Sequence, residues 1–451
     1  MQLNLDCARL LALLTVLAAS LAQAAPANAV PAFAAQTGQP CQMCHVGGFG
    51  PQLTVFGRNF KLHGYTQRAT PFSIPLSAMV EASYVRTTKA QAAPPAPDFA
   101  RNDNVALDQA SLFFAGGFGE HLGAFVQATY DGVARAFSWD NLDVRATTTT
   151  QLAGHDVVVG ASLNNAPGVQ DAWNTLPAWG FPYSGSSLAP APATTPLIDG
   201  ALAQTSLGLT GYAWIDSSLY LEGGAYGSPG ATSLARLGAD PTSPGDISGL
   251  APYGRIAFQK MMGNAALEVG AFGVDASIHP GLDRSTGFLD RYTDLGVDAS
   301  YEAPLAHGDI FAVNARYTHE RQALQATCAL AIEGRPGGCG HSHLDEMTAD
   351  VSYYWHGWLG ATLAGFDTTG SANPVIYAGN RTFRPDSTGV MLQLDATPFG
   401  GRPQPARRAN LRVGLQYTAY TRFDGAGVNF DGAGTRASDN NTFRVFTWLA
   451  F

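Results

Sequence analysis

The sequence predicts an all-β protein: a transmembrane barrel of about sixteen strands, preceded by a small, mostly irregular or helical segment that plugs it. Three observations lead there. From Leu76 onward apolar residues alternate with polar or small ones at period two, in units of roughly ten residues. The connections between units alternate between tight turns and long loops. The last unit, with Phe443, Val445, Thr447, Leu449 and Phe451 on one face, ends on the aromatic that outer-membrane assembly machinery recognises.

Composition agrees with this pattern. Only 14% of the 451 residues are charged, below the roughly 25% usual in soluble domains, and 51 glycines are many. Mean hydropathy is nevertheless near zero, as expected when apolar residues alternate instead of clustering. The net charge of −9 argues against a nucleic-acid partner, which wants a basic surface. No run of about 18 apolar residues occurs. A chain of this kind crosses a membrane only as a closed barrel, the one non-helical form that satisfies its backbone in lipid.

Residues 1–29 read as a secretory signal peptide. Arg9 provides a modest positive start despite Asp6, and Leu10 to Ala22 form an apolar core too short to span a bilayer. Ala22-Gln23-Ala24 and Ala27-Asn28-Ala29 are small-x-small cleavage sites. Cys7 leaves with the peptide, so four cysteines remain: Cys41, Cys44, Cys328 and Cys339.

Residues 30–75 form a segment of their own around Cys41-Gln42-Met43-Cys44-His45. Two thiols three positions apart, followed by an imidazole, make the attachment pattern of a c-type haem. On one helical turn both thiols face the same side and each can add to a porphyrin vinyl group, while His45 offers the iron a proximal nitrogen. A zinc site would need a second ligand pair nearby, and a thioredoxin-type pair would need a βαβ context that is absent. Gly47-Gly48-Phe49-Gly50-Pro51 breaks any helix after His45, and Phe56, Phe60 and Leu62 follow as cover for a porphyrin face. Some forty residues make no core alone, and Pro71 to Pro75 is a short link to the first strand. The segment is therefore expected to fold back into the barrel with one covalent haem as its core.

Residues 76–451 are the barrel. Strand starts are expected near Leu76, Asn104, His121, Asp140, His155, Ala201, Ser217, Pro252, Ala265, Tyr292, Asp309, His343, Trp358, Ser387, Asn410 and Asn441. Tight turns fall at Gly117–Glu120, Leu152–Gly154, Asp216, Met262–Asn264, Ala306–Gly308 and His356–Gly357, with a longer one at Gly400–Arg408. Long loops fall at Thr87–Asp103, Asn164–Gly200, Gly227–Ala251, Ile278–Arg291, Gln322–Ser342, Thr368–Asp386 and Asp424–Asp439. Short turns face the periplasm in such barrels, so strict alternation places both ends of the barrel, and the entrance of the haem segment, on that side. Cys328 and Cys339 flank an external loop containing Arg335-Pro336-Gly337-Gly338, and in an oxidising compartment they are expected to form a disulfide.

The sixth iron ligand stays open. His63, eighteen positions beyond His45 and past the Gly-Pro break, is the first candidate; Met79, a ligand from the wall, or an open site are the alternatives. Met43 lies within the thioether loop and is geometrically unable to fold back. Arg58 and Lys61 are possible partners of haem propionates. Asp171, Glu81, Asp108 and Asp131 are acidic groups that would favour a divalent cation at the mouth, although each is more simply an ordinary barrel residue. His341 and His343, two apart beside Cys339, have the look of a metal pair but sit at a loop end. No Ser-His-Asp set, phosphate loop or carboxylate pair is evident.

The mature chain resembles, end to end, the fused monohaem cytochrome–porins of iron(II)-oxidising bacteria. The most specific parts are the haem motif with Phe56-Gly57-Arg58 and Phe60-Lys61-Leu62-x-Gly64-Tyr65, and the loop Asn164-Asn165-Ala166-Pro167-Gly168-Val169-Gln170-Asp171-Ala172-Trp173-Asn174-Thr175, continuing to Pro177-Ala178-Trp179-Gly180-Phe181-Pro182. The resemblance implies an outer-membrane oxidoreductase that takes electrons from extracellular Fe(II) and hands them to a periplasmic carrier, a c-type cytochrome or a cupredoxin. The rival readings are a passive porin with a structural haem plug, and a conduit for another external donor.

Overall fold

Sixteen antiparallel strands close on themselves in a computed structural model of the chain, which describes residues 31–69, 74–176, 178–331, 339–401 and 409–451. The signal peptide, most of the link before the first strand and the turns at 335–338 and 402–408 lie outside the described residues.

The strands are β1 (Leu76–Thr87), β2 (Asn104–Gly117), β3 (Leu122–Asp131), β4 (Ala136–Leu152), β5 (His155–Asn164), β6 (Leu207–Ile215), β7 (Leu219–Gly227) and β8 (Ala251–Met262). They continue as β9 (Ala265–His279), β10 (Asp290–Pro304), β11 (Ile310–Leu324), β12 (His341–Trp355), β13 (Leu359–Gly370), β14 (Ser387–Ala396), β15 (Asn410–Arg422) and β16 (Thr442–Ala450). Each pairs with its neighbours in sequence, and β1 pairs with β2 (Leu76 opposite Phe114) and with β16 (Met79 opposite Ala450), which closes the cylinder. A two-residue piece, Asp246–Ile247, adds to the end of β9 within a long loop.

Two strand starts differ from expectation. The fourth begins at Ala136, not Asp140, so the β3–β4 connection is only residues 132–135 and the long-short alternation is not strict. The Asp131 carboxylate accepts from the backbone N–H groups of Val133 (2.7 Å) and Ala134 (2.9 Å), which tightens this hairpin. The sixth strand begins at Leu207, not Ala201, because the preceding residues turn inward. Leu197, Ile198 and Leu202 are buried with Tyr226, Tyr253 and Phe272. The N–H groups of Leu197 and Ile198 donate to Glu320 (2.6 Å) and Asp294 (2.7 Å) on the wall.

The barrel is inside-out relative to a soluble sheet. On β14, Val390, Leu392 and Leu394 are about half exposed, while Gln393 and Asp395, which alternate with them, are buried. Only lipid makes that distribution favourable, since it replaces water against the apolar face. The lumen in turn holds buried ion pairs: Arg444–Glu81 at 2.7 Å, Arg412–Asp395 at 2.9 Å, Arg255–Asp298 at 2.6 Å and Arg145–Asp143 at 2.8 Å. The chain is thus an outer-membrane barrel, with the short-turn end periplasmic. Cys328 and Cys339 are joined by the expected disulfide in the β11–β12 loop.

Candidate haem site in the plugged lumen

Among the described residues, three short α-helices precede β1: α1 (Ala32–Thr37), α2 (Cys41–Cys44) and α3 (Val55–Leu62). The α2 turn is the expected single turn, closed by His45 N–H donating to Cys41 O (2.9 Å). Thr54 caps α3 through its hydroxyl, which accepts from Gly57 N–H (3.2 Å), and its own N–H donates to Cys44 O (2.9 Å), tying α3 to the motif. Gly57 allows this close crossing: a Cβ there would lie 2.2 Å from Cys44 O.

The segment touches inward-facing residues around the whole circumference, so it lies inside the cylinder. The Tyr65 hydroxyl donates to Asp143 on β4 (2.6 Å), and Tyr212 on β6 donates to Leu62 O (2.8 Å). Arg58 pairs with Glu302 on β10 (3.1 Å), Asn410 on β15 donates to Gly48 O (2.7 Å), and Phe49 meets Trp448 on β16 at 4.9 Å between centroids. Phe33 stacks on Tyr65 (5.1 Å) and meets Phe60 edge-on (5.0 Å).

Cys41, Cys44 and His45 open onto a cavity that is partly open to solvent. Its walls are predominantly apolar: Phe33 and Phe49 of the segment; Met79, Phe113, Phe125 and Trp448 of the barrel; and Trp179 of the β5–β6 loop. Because these barrel residues come from the start of β1, the end of β2, the start of β3 and the end of β16, the cavity sits at the periplasmic end. A second cavity, of about 700 Å³, adjoins it beyond His45 and Trp179 and is lined by Phe60, Lys61 and Tyr65.

These residues fit a haem. His45 lies deep in the protein, and burial lowers its pKa to about 4, the backbone of Gly50 opposing in part. The imidazole is therefore neutral, as a metal ligand must be. It keeps accessible surface because it faces the cavity, while its Nδ1 is covered and has no partner meeting hydrogen-bond geometry. The indole N–H groups of Trp179 and Trp448, on the same cavity, are also buried and unpartnered. Orphaned donors of this kind are costly. Cys41 and Cys44 are free. Burial pushes the Cys44 thiol up to about 12, with Cys41 adding to the rise, and raises Cys41 as well. A redox-active pair is instead favoured by a depressed pKa.

Other expected residues fall elsewhere. His63 ends α3 with Nδ1 against Asn59 O (2.7 Å) and lines neither cavity. Lys61 reaches the second cavity, where its Nζ donates to the carbonyls of Val169 (2.5 Å) and Asp171 (2.9 Å). Arg58 lines neither and is held by Leu53 O and Glu302. The Asp171 carboxylate accepts from the N–H groups of Trp173, Thr175 and Leu176 (2.9–3.2 Å), so it organises its own loop. Glu81 pairs with Arg444 and accepts from Gln109 and Ser184, Asp108 lies 3.6 Å from Arg444, and Asp131 caps its hairpin. His341 and His343 are exposed on β12, where His343 Nδ1 is 2.7 Å from Ser371 Oγ. Among the described residues no cluster of three or more His, Cys, Asp or Glu is arranged to hold a metal ion.

The β5–β6 loop was legible as a motif but not as a partition. Ala178 lines both the second cavity and an outer cavity of about 1400 Å³, onto which Gly180, Phe181, Asp140, Asp199 and Glu346 also face. Residues 178–181 thus lie between the two inner cavities and the outer one.

Replacing Gly57 by Ala is expected to drive α3 off Cys44, costing about 1–3 kcal/mol by overpacking and lowering the fraction of chain that carries covalent haem, measured on denatured protein.

No protein-family model matches the chain, and no curated protein does. Solved structures of outer-membrane porins are similar to it at low identity. The anion-selective porin from Comamonas acidovorans is 13% identical, with a TM-score of 0.45, over 84% of this chain and 98% of that one. OmpF of Salmonella typhi, solved in complex with daunomycin, is 12% identical, with a TM-score of 0.46, over 83% and 97%. OmpT of Vibrio cholerae is 10% identical, with a TM-score of 0.41, over 83% and 97%.

Proposed function

We propose that the chain is an outer-membrane electron conduit: one haem c, held by Cys41, Cys44 and His45 inside the barrel, links extracellular Fe(II) to a periplasmic cytochrome or cupredoxin. The observation that carries this is the Cys-x-x-Cys-His turn facing a predominantly apolar cavity in the lumen, lined also by Trp179 and Trp448. A haem bound there supplies a one-electron centre.

The chain's own residues do the remaining work. Cys41 and Cys44 anchor, and neutral His45 gives its nitrogen. Phe33, Phe49, Phe113 and Phe125 keep water from the cavity. Outside the partition at 178–181, the outer cavity presents hydroxyls, amides and the carboxylates of Asp140, Asp199 and Glu346, oxygen groups that suit a hard divalent cation. Arg316 neutralises part of that charge through Asp199 and Glu346, which favours passage over tight capture. Met43 is exposed beside the anchoring turn, where a periplasmic acceptor approaches. Each turnover removes one electron from Fe(II), giving Fe(III) outside, and delivers it to the acceptor inside. Anchored by Cys41 and Cys44 at the periplasmic end of the lumen, such a group would lie close to the inner acceptor, and tunnelling falls steeply with distance.

Anaerobic mixing of the purified haem-loaded chain with Fe(II) is expected to convert its visible spectrum to the reduced form. An unchanged spectrum, with solute flux through chain reconstituted in vesicles, would instead make it a porin whose haem is structural. Reduction by another external donor but not by Fe(II) would keep the conduit and change its substrate.

A further inference from the structure

Like Val85, which packs further along the strand with Ala106, Val133 and Leu188, Met79 is an apolar side chain on the inner face of β1. Its lumen-side companions Ser77, Glu81 and Ser83 are polar, and the outer face carries Leu76, Ala78, Val80 and Ala82. Apolar side chains belong on the lipid side of such a strand and polar ones on the lumen side. Met79 is only 5% exposed, packs with Phe49, Phe113 and Trp448, and lines the cavity onto which Cys41, Cys44 and His45 open.

Beyond the motif itself, the two cavities are lined by three side chains of the kinds that ligate haem iron: Met79, Lys61 and Tyr65. Two are committed. Lys61 Nζ donates to two carbonyls of the inward loop, and the Tyr65 hydroxyl donates to Asp143 (2.6 Å). Both face the second cavity, not the one that holds both thiols. Met79 alone presents a soft, polarisable sulfur there, and no other methionine lines either cavity.

We infer that Met79 supplies the sixth ligand of the haem iron, through its thioether sulfur and opposite His45. This rests on the haem reading above and gives it a chemical consequence. Methionine opposite histidine raises the reduction potential, which a centre needs to draw electrons from a donor as weakly reducing as aqueous Fe(II).

The test uses the full chain matured with covalent haem in a periplasm, as wild type, Met79→Leu and Met79→His. Covalent haem is quantified first on denatured protein. Ferric wild type is expected to show the weak long-wavelength sulfur-to-iron charge-transfer band of methionine ligation. Met79→Leu loses it, turns high-spin and drops in midpoint potential. Met79→His loses it, stays low-spin and also drops in potential. Where Met79→Leu fails to mature, the wild-type band decides. Full haem content without the band, or a Met79→Leu spectrum and potential equal to wild type, overturns the ligand and leaves the haem reading standing. A wild-type chain matured without covalent haem overturns both.

Discussion

Replacing Cys41 and Cys44 together by alanine is expected to give a folded barrel with no covalent haem and no absorbance change on adding Fe(II). The chemical loss is complete because each thioether needs its own sulfur, and His45 alone does not hold the group through purification. The barrel survives because its closure rests on sixteen strand ladders to which α2 contributes nothing. The α2 turn reaches the wall chiefly through Gln42, whose side chain donates to Gly357 O (2.7 Å) and whose N–H donates to Gly400 O (3.2 Å). The haem segment itself is expected to loosen around a cavity left without its filling, seen as faster protease cleavage within residues 31–65. Extraction from outer membranes and gel mobility before and after heating check the barrel; haem content and Fe(II)-driven reduction check the site. A double variant that still reduces with Fe(II) would place the redox centre elsewhere.

The second large effect lies at Arg255. Its guanidinium is 2.6 Å from Asp298, 3.4 Å from Glu268 and 3.6 Å from Asp171. It also lies over the rings of Trp173 and Phe272, 5.2 and 5.6 Å from their centroids. All of these groups are buried, so one cation holds three carboxylates and clamps the β5–β6 loop to the wall. Arg255→Leu strands those carboxylates, a penalty of about 3–5 kcal/mol for breaking a buried pair. The wall strands are fastened by their ladders, so the loop is expected to yield. The variant should therefore conduct ions where wild type is closed, and its residues 165–206 should become open to protease. Arg255→Lys keeps the charge but not the planar fork, and an intermediate conductance is expected. Wild-type conductance and wild-type protease resistance in Arg255→Leu would show that the loop is held by its apolar contacts alone.

The barrel was readable because a strand's side-chain period is local: residues two apart share a face whatever the rest of the chain does. Most strand starts were therefore within a residue or two of where they lie. The misplacements at Asp140 and Ala201 share a cause. In each, an alternating stretch is recruited by something beyond the strand: an aspartate that tightens a four-residue hairpin, or apolar residues pulled into the lumen. The Cys-x-x-Cys-His motif is local in the same sense, since the pattern that suggests two thioethers and one ligand is written in five consecutive residues. His63 looked plausible by spacing, but spacing says nothing about which way a helix end faces, and α3 turns that imidazole back onto its own carbonyl at Asn59.

By itself, the sequence determined that this is a lipid-facing cylinder with a Cys-x-x-Cys-His turn ahead of its first strand, because periodicity and motif are properties of neighbouring residues. Only the tertiary structure decided where that turn lies, at the periplasmic end of the lumen, and what surrounds it. Trp448, Phe125, Trp179 and Met79 reach one cavity from four separate parts of the chain, and residues 178–181 close it from the outer mouth. Such meetings depend on the register and closure of the whole sheet, which no local pattern encodes.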